Sequence, residues 1–119
     1  MLTGANSLGK RRDTRLLARL KVRYGNGESL NAGLTENISR RGLFFKGNVL
    51  FPRRSLIRVE VITPQGEHIV FIGRVCWVRQ ASPFFPRIGT MGGMGISIAR
   101  FIEGAPHYLM LCNTLQARA

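Results

Sequence analysis

Fourteen glycines and five prolines divide this 119-residue chain into short apolar runs, and that punctuation constrains the fold more than any other feature. Within the runs, apolar residues recur at every second position, the period of a half-buried strand rather than of an amphipathic helix. Leu20, Val22 and Tyr24 alternate with Arg19, Lys21 and Arg23 in a first strand that begins near Leu16. Gly25-Asn26-Gly27 supplies residues that tolerate positive φ, and the chain turns back with Leu30, Ala32 and Leu34 as the apolar set opposite Asn31, Gly33 and Thr35. The pair reads as a hairpin.

Asn37 to Gly42 interrupts the alternation with a polar corner before Leu43-Phe44-Phe45 resumes a strand. Residues 49–55 read as a loop, Ile57, Val59 and Val61 mark the next strand, and Thr63-Pro64-Gln65-Gly66 turns it. A longer strand from His68 to about Arg79 carries Gly73 where a bulge or barrel bend falls. Residues 81–92 are breaker-rich, and Met94, Ile96 and Ile98 give the last strand. Only after Pro106 does a helical period appear, with Tyr108, Leu111, Cys112 and Leu115 on one stripe. Six antiparallel strands without intervening helices favour a closed barrel, which removes exposed edges. The expected class is all-β (mainly β): a six-stranded antiparallel barrel with one short C-terminal helix.

At 119 residues the chain is one domain, and its 45% hydrophobic content supports a folded core. Residues 1–9 are small and polar after Leu2 and are expected to form a flexible leader to a domain over 10–119. Eighteen Lys and Arg against six Asp and Glu give a net charge of +12, so the natural partners are anions. The segments 1–24 and 36–58 hold thirteen of the eighteen cations, and one strongly positive face results if they meet.

Cys76 and Cys112 are far apart in apolar contexts and are expected as two buried thiols. Neither clusters with His68 or His107, so no metal site is expected. The chain shows no signal-peptide core and no apolar run of membrane-spanning length, which points to the cytosol. Paired carboxylates and Ser/His/Asp or Cys/His arrangements are lacking, so an enzyme is not expected and no cofactor is implied.

Two polar clusters carry chemistry. Lys10-Arg11-Arg12-Asp13-Thr14-Arg15 contains Arg11 and Arg15 as R-x-x-x-R, and arginine's rigid fork of N–H donors matches phosphate oxygens and the O6/N7 edge of guanine. A solvated basic arm is the bland alternative. Asn37-x-Ser39-x-x-Gly42 is either a structural corner, its side chains bonded to nearby backbone, or a place where an amide and a hydroxyl read a base edge while glycine allows close approach. Trp77 is expected in the core, with base stacking as the alternative.

Together, Arg11-x-x-x-Arg15, Asn37-x-Ser39-x-x-Gly42, Gly73-Arg74-Val75-x-Trp77-Val78 and Gly93-Met94-Gly95-Ile96 before a final helix resemble the PilZ domain family over roughly residues 10–115. The resemblance implies a six-stranded barrel that binds cyclic di-GMP. It places Arg11 and Arg15 on guanine edges and phosphates, and Asn37 and Ser39 on a guanine, with Gly42 giving access. Lys10 and Arg12 would be secondary phosphate contacts. Asn37 stands where the family has Asp or Asn, and a neutral amide accepts from guanine less strongly than a carboxylate but does not repel a dianion. In the family, the residue before the first motif arginine influences whether one ligand or a stacked pair is held; Lys10 leaves that open.

The expected function is a receptor or adaptor that orders its basic arm on cyclic di-GMP and signals to an effector protein. Two alternatives remain: a small basic barrel that binds single-stranded nucleic acid, and a scaffold that works through protein contacts without ligand.

Overall fold

The computed structural model describes residues 14–81 and 91–118. Among the described residues seven strands and one helix follow in order: β1 (Leu16–Leu17), β2 (Lys21–Gly25), β3 (Asn31–Ile38), β4 (Gly42–Gly47), β5 (Leu56–Ile62), β6 (His68–Arg79), β7 (Gly93–Glu103) and α1 (Ala105–Arg118). Every pairing is antiparallel. The sheet runs β3-β2-β5-β6-β7-β4 and closes through β4 on β3, giving a six-stranded barrel with β1 as a short addition to β3. Closure leaves the C-terminal half of β3 between two neighbours, with Asn37 opposite Leu17 of β1 on one side and Phe44 of β4 on the other.

The core is built where period-two runs converge. Val22 and Tyr24 of β2, Leu43 and Phe45 of β4, Ile57, Val59 and Val61 of β5, Ile69, Phe71 and Val75 of β6, and Met94 and Ile96 of β7 fill it. Each large side chain so buried contributes roughly 2–3 kcal/mol. Gly66 turns β5 into β6 with φ +85, and Gly104 ends β7 with φ +84, a region that favours glycine. The helix then caps one end, with Tyr108 and Cys112 buried and Leu111 and Leu115 packed on the core, as the apolar stripe implies. Tyr108 packs edge-on to Phe71 and tilted to Phe101.

β3 reverses the expected faces. Its register with β2 sets Ala32 opposite Arg23 and Leu34 opposite Lys21, so both apolar residues point outward with those cations, and Leu34 is 42% exposed. Gly33 and Thr35 face inward. An added Cβ at Gly33 would first meet the Lys46 carbonyl of β4 and then Val22 and the Tyr24 ring, so the neighbouring strands leave no space for a larger residue. The Thr35 hydroxyl is buried without penalty because it accepts from Leu20 N–H at 2.7 Å and donates to the Ala18 carbonyl at 2.5 Å.

β6 also departs from simple alternation. Its pairing with β7 shifts three times: between Val70 and Phe71, beside Gly73, as expected, and between Val75 and Trp77. The last of these shifts leaves both Cys76 and Trp77 exposed, correcting the expectation that each is buried. Both cysteines are free; only Cys112 is buried.

Candidate functional site

The site is assembled at the closure of the barrel, where the Asn37-to-Gly42 corner joins β3 to β4. The Ser39 N–H donates to the Gly42 carbonyl at 2.8 Å and the Ser39 hydroxyl donates to it at 3.2 Å, forming a tight turn. Two other elements pin this turn. The Arg41 carbonyl accepts from Ile98 N–H of β7 at 2.8 Å, and the buried Tyr108 hydroxyl of α1 donates to the Ser39 carbonyl at 2.6 Å, with the Gly42 carbonyl 3.2 Å away. Arg40 adds a bond from Nη2 to Asn113 Oδ1 of the helix at 3.1 Å. Burial pushes the Tyr108 phenol far above its ordinary range and the Cys112 thiol upward, so neutral groups back the turn.

Across from the turn, β1 brings in the basic segment. Arg15 directly precedes Leu16, and its Nη1 donates to Asn37 Oδ1 at 2.8 Å, joining residues 22 positions apart. Asn37 keeps its NH2 as a donor. Ser39, its proton committed to Gly42, presents hydroxyl lone pairs as acceptors. Lys10, Arg11 and Arg12, and the expected leader, lie outside the described residues.

A half-open pocket of about 200 Å³ lies beside these groups, lined by Arg15, Ser39, Arg41, Gly42, Cys76 and Trp77 among others. Among the described residues no acidic side chain lines it. Its size suits one purine base rather than a whole dinucleotide. Trp77 is 40% exposed and lies parallel to Phe44, with centroids 4.8 Å apart and planes within 4°. Arg79 covers the Phe44 ring at 4.7 Å, and Glu36 is held by Lys46 at 3.2 Å and Arg79 at 3.8 Å. That acid is neutralised by its own neighbours, and the pocket keeps a positive field.

Gly42 has a structural requirement of its own. A Cβ there would overlap the Ile96 carbonyl of β7, so glycine is needed for β4 to approach β7. Arg41, Cys76 and Trp77 were not picked out as site residues by sequence reasoning. The available signal was Gly95, directly opposite Trp77 across β6 and β7, where any side chain would overlap the indole. A glycine in register with a tryptophan marks a ring laid flat on the sheet surface.

The PilZ domain model matches residues 9–103. The chain belongs to the PilZ domain family. This is a family of generally non-catalytic receptor domains that typically bind cyclic di-GMP. The PilZ barrel here is similar in fold to the Bacillus subtilis inhibitor of motility MotI/DgrA, at 19% identity and a TM-score of 0.72, over 91% of this chain and 52% of that one. It spans about half the length of that protein. It is also similar to the PilZ domain of CeSA from a cellulose synthesizing bacterium, at 18% identity and a TM-score of 0.53, over 87% of this chain and 96% of that one. Comparison with curated protein sequences gives no match. Among the described residues no helix is long and apolar enough to cross a membrane, and no three His, Cys, Asp or Glu residues cluster as metal ligands.

Proposed function

We propose that this PilZ domain is a cyclic di-GMP receptor that couples the ligand to an effector protein. The observation that carries the reading is the Arg15 to Asn37 bond at 2.8 Å, which unites the two motif segments at one rim of a basic, half-open pocket. A guanine placed there meets a guanidinium from Arg15, an amide from Asn37 and hydroxyl lone pairs from Ser39, against its acceptor and donor edges. Arg41 and Arg15 stand within reach of the phosphates, and the exposed indole of Trp77 offers a flat apolar wall.

Arg11, with Lys10 and Arg12 as secondary contacts, completes the ligand shell from the N-terminal arm in this proposal. Two phosphates between arm and barrel relieve the mutual repulsion of their charges. Binding thereby orders the arm against the barrel and presents a new surface to the effector.

Calorimetric titration of cyclic di-GMP at physiological salt, with GTP and single-stranded oligonucleotides as competitors, tests the reading. Saturable binding that oligonucleotides do not displace is expected. Equal binding of every polyanion with a steep salt dependence would replace the receptor by a general nucleic-acid binder.

A further inference from the structure

A second surface lies on the outer face of β5, β6 and β7, and only its edge at Ser97 reaches the ligand pocket. Cross-strand register sets Arg58 of β5, Ile72 of β6 and Arg100 of β7 side by side in one row. The next outward row is Leu56, Arg74 and Ser97. The face is therefore a chequer of arginines around two aliphatic side chains, and Leu56 is 52% exposed. With the turn at Gly25 to Gly27 as one wall, Leu56, Arg58, Ile72 and Arg100 border a cleft of about 460 Å³.

Arg58, Arg74 and Arg100 form no ion pair among the described residues, and no carboxylate lines the cleft. The contrast lies on the same strands: two residues along β5 from Arg58, Glu60 is held by Arg23 at 3.9 Å and by His68 at 2.5 Å. Charge is compensated towards the helix end of the sheet and left uncompensated here.

We infer that this face docks a partner protein through a segment that presents carboxylates around an aliphatic side chain. Charge complementarity gives the carboxylates, because the guanidinium groups of Arg58 and Arg100 line the cleft without an ion pair, with Arg74 in the neighbouring row. Leu56 and Ile72 give the aliphatic contact. All cations of the face are arginine, the cation enriched at protein interfaces where lysine is depleted, and arginine's fork matches a carboxylate in a bidentate pair. Nucleic acid fits less well, because none of the cleft residues is aromatic and single-strand binders rely on stacking. A second copy fits less well too, because each carries +12. The inference stands apart from the ligand proposal, since none of Leu56, Arg58, Ile72 and Arg100 lines the motif pocket.

The test is a titration of the ¹⁵N-labelled full chain with a synthetic peptide of alternating Glu and Leu. Hexaglutamate, a single-stranded oligonucleotide and phosphatidylglycerol vesicles are titrated in parallel. Amide shifts confined to Gly25 to Gly27, Arg58, Ile72 and Arg100 are expected for the Glu-Leu peptide, with hexaglutamate at least tenfold weaker. Leu56→Ser and the double variant Arg58→Ala/Arg100→Ala should each weaken the peptide at least tenfold while retaining the dispersed spectrum of the folded barrel. Hexaglutamate binding as tightly as the Glu-Leu peptide would overturn the inference. So would shifts spread over all surface arginines, or a preference of this face for the oligonucleotide or the vesicles.

Discussion

Tyr108→Phe removes one oxygen atom and probes how the helix holds the ligand-binding turn. The ring is fully buried, and its hydroxyl is the donor to the Ser39 carbonyl at 2.6 Å. The Gly42 carbonyl retains the Ser39 N–H at 2.8 Å after the change, but the Ser39 carbonyl loses the Tyr108 hydroxyl as donor. A buried hydrogen bond contributes about 1 kcal/mol net, and a stranded buried acceptor costs about 1–2 kcal/mol more. The expected loss is about 2 kcal/mol, or about 8 °C in Tm for a domain of this size. Urea unfolding should show a lower midpoint with an unchanged m-value, since the surface buried is the same.

The same residue sets an alkaline limit. Burial raises the Tyr108 pKa above the ordinary phenol value of about 10, so the unfolded chain loses this proton at a lower pH than the folded one. Stability from this group is complete below about pH 10 and falls above it by up to about 1.4 kcal/mol per pH unit. Tyr108→Phe should flatten that fall. A variant within about 0.5 kcal/mol of the parent at pH 7 would refute the claim that the hydroxyl anchors the turn.

Gly42→Ala should destabilise the barrel by about 1–3 kcal/mol in urea titration, because the new Cβ meets the Ile96 backbone rather than a flexible side chain; stability equal to the parent would show that β4 and β7 part without strain. Trp77 is the sole tryptophan, so cyclic di-GMP should change the protein's indole emission with the same saturation curve as calorimetry, and unchanged emission at saturation would take Trp77 out of contact with the ligand. Cys76 should react rapidly with a thiol reagent in the native state while Cys112 reacts only on unfolding, and bound cyclic di-GMP should slow Cys76 at least severalfold. Equal rates with and without ligand would count against occupancy of the pocket beside it.

The strands and turns were legible because their signals are local. Val59 and Val61, the Pro64 to Gly66 turn and the stripe from Tyr108 to Leu115 each declare an element within a few residues. Both polar motifs were legible as well, but the contact between Arg15 and Asn37 depends on β1 pairing with the end of β3, a long-range event. The faces of β3 were not legible. Leu34 looks like a core residue until the Lys46 carbonyl, Val22 and Tyr24 crowd the inward position at Gly33, and Thr35 looks like a surface residue until its hydroxyl meets the backbone of Ala18 and Leu20. Cys76 and Trp77 were misplaced because a bulge breaks the period of two at that point, and a bulge is decided by both strands that share it. Gly42 illustrates a residue with two demands on it, since strand packing alone requires glycine whatever a ligand needs.

The central claim is that one basic pocket, lined by Arg15 with Asn37 bonded to it, binds cyclic di-GMP, and calorimetry on Arg15→Ala and Arg11→Ala tests it most directly. Arg15 is exposed, so its loss should change stability by less than about 1 kcal/mol. Each variant should bind cyclic di-GMP at least tenfold more weakly than the parent at physiological salt, since each lacks a charge-assisted contact worth upwards of about 1.4 kcal/mol. Undiminished binding by both variants would contradict the account.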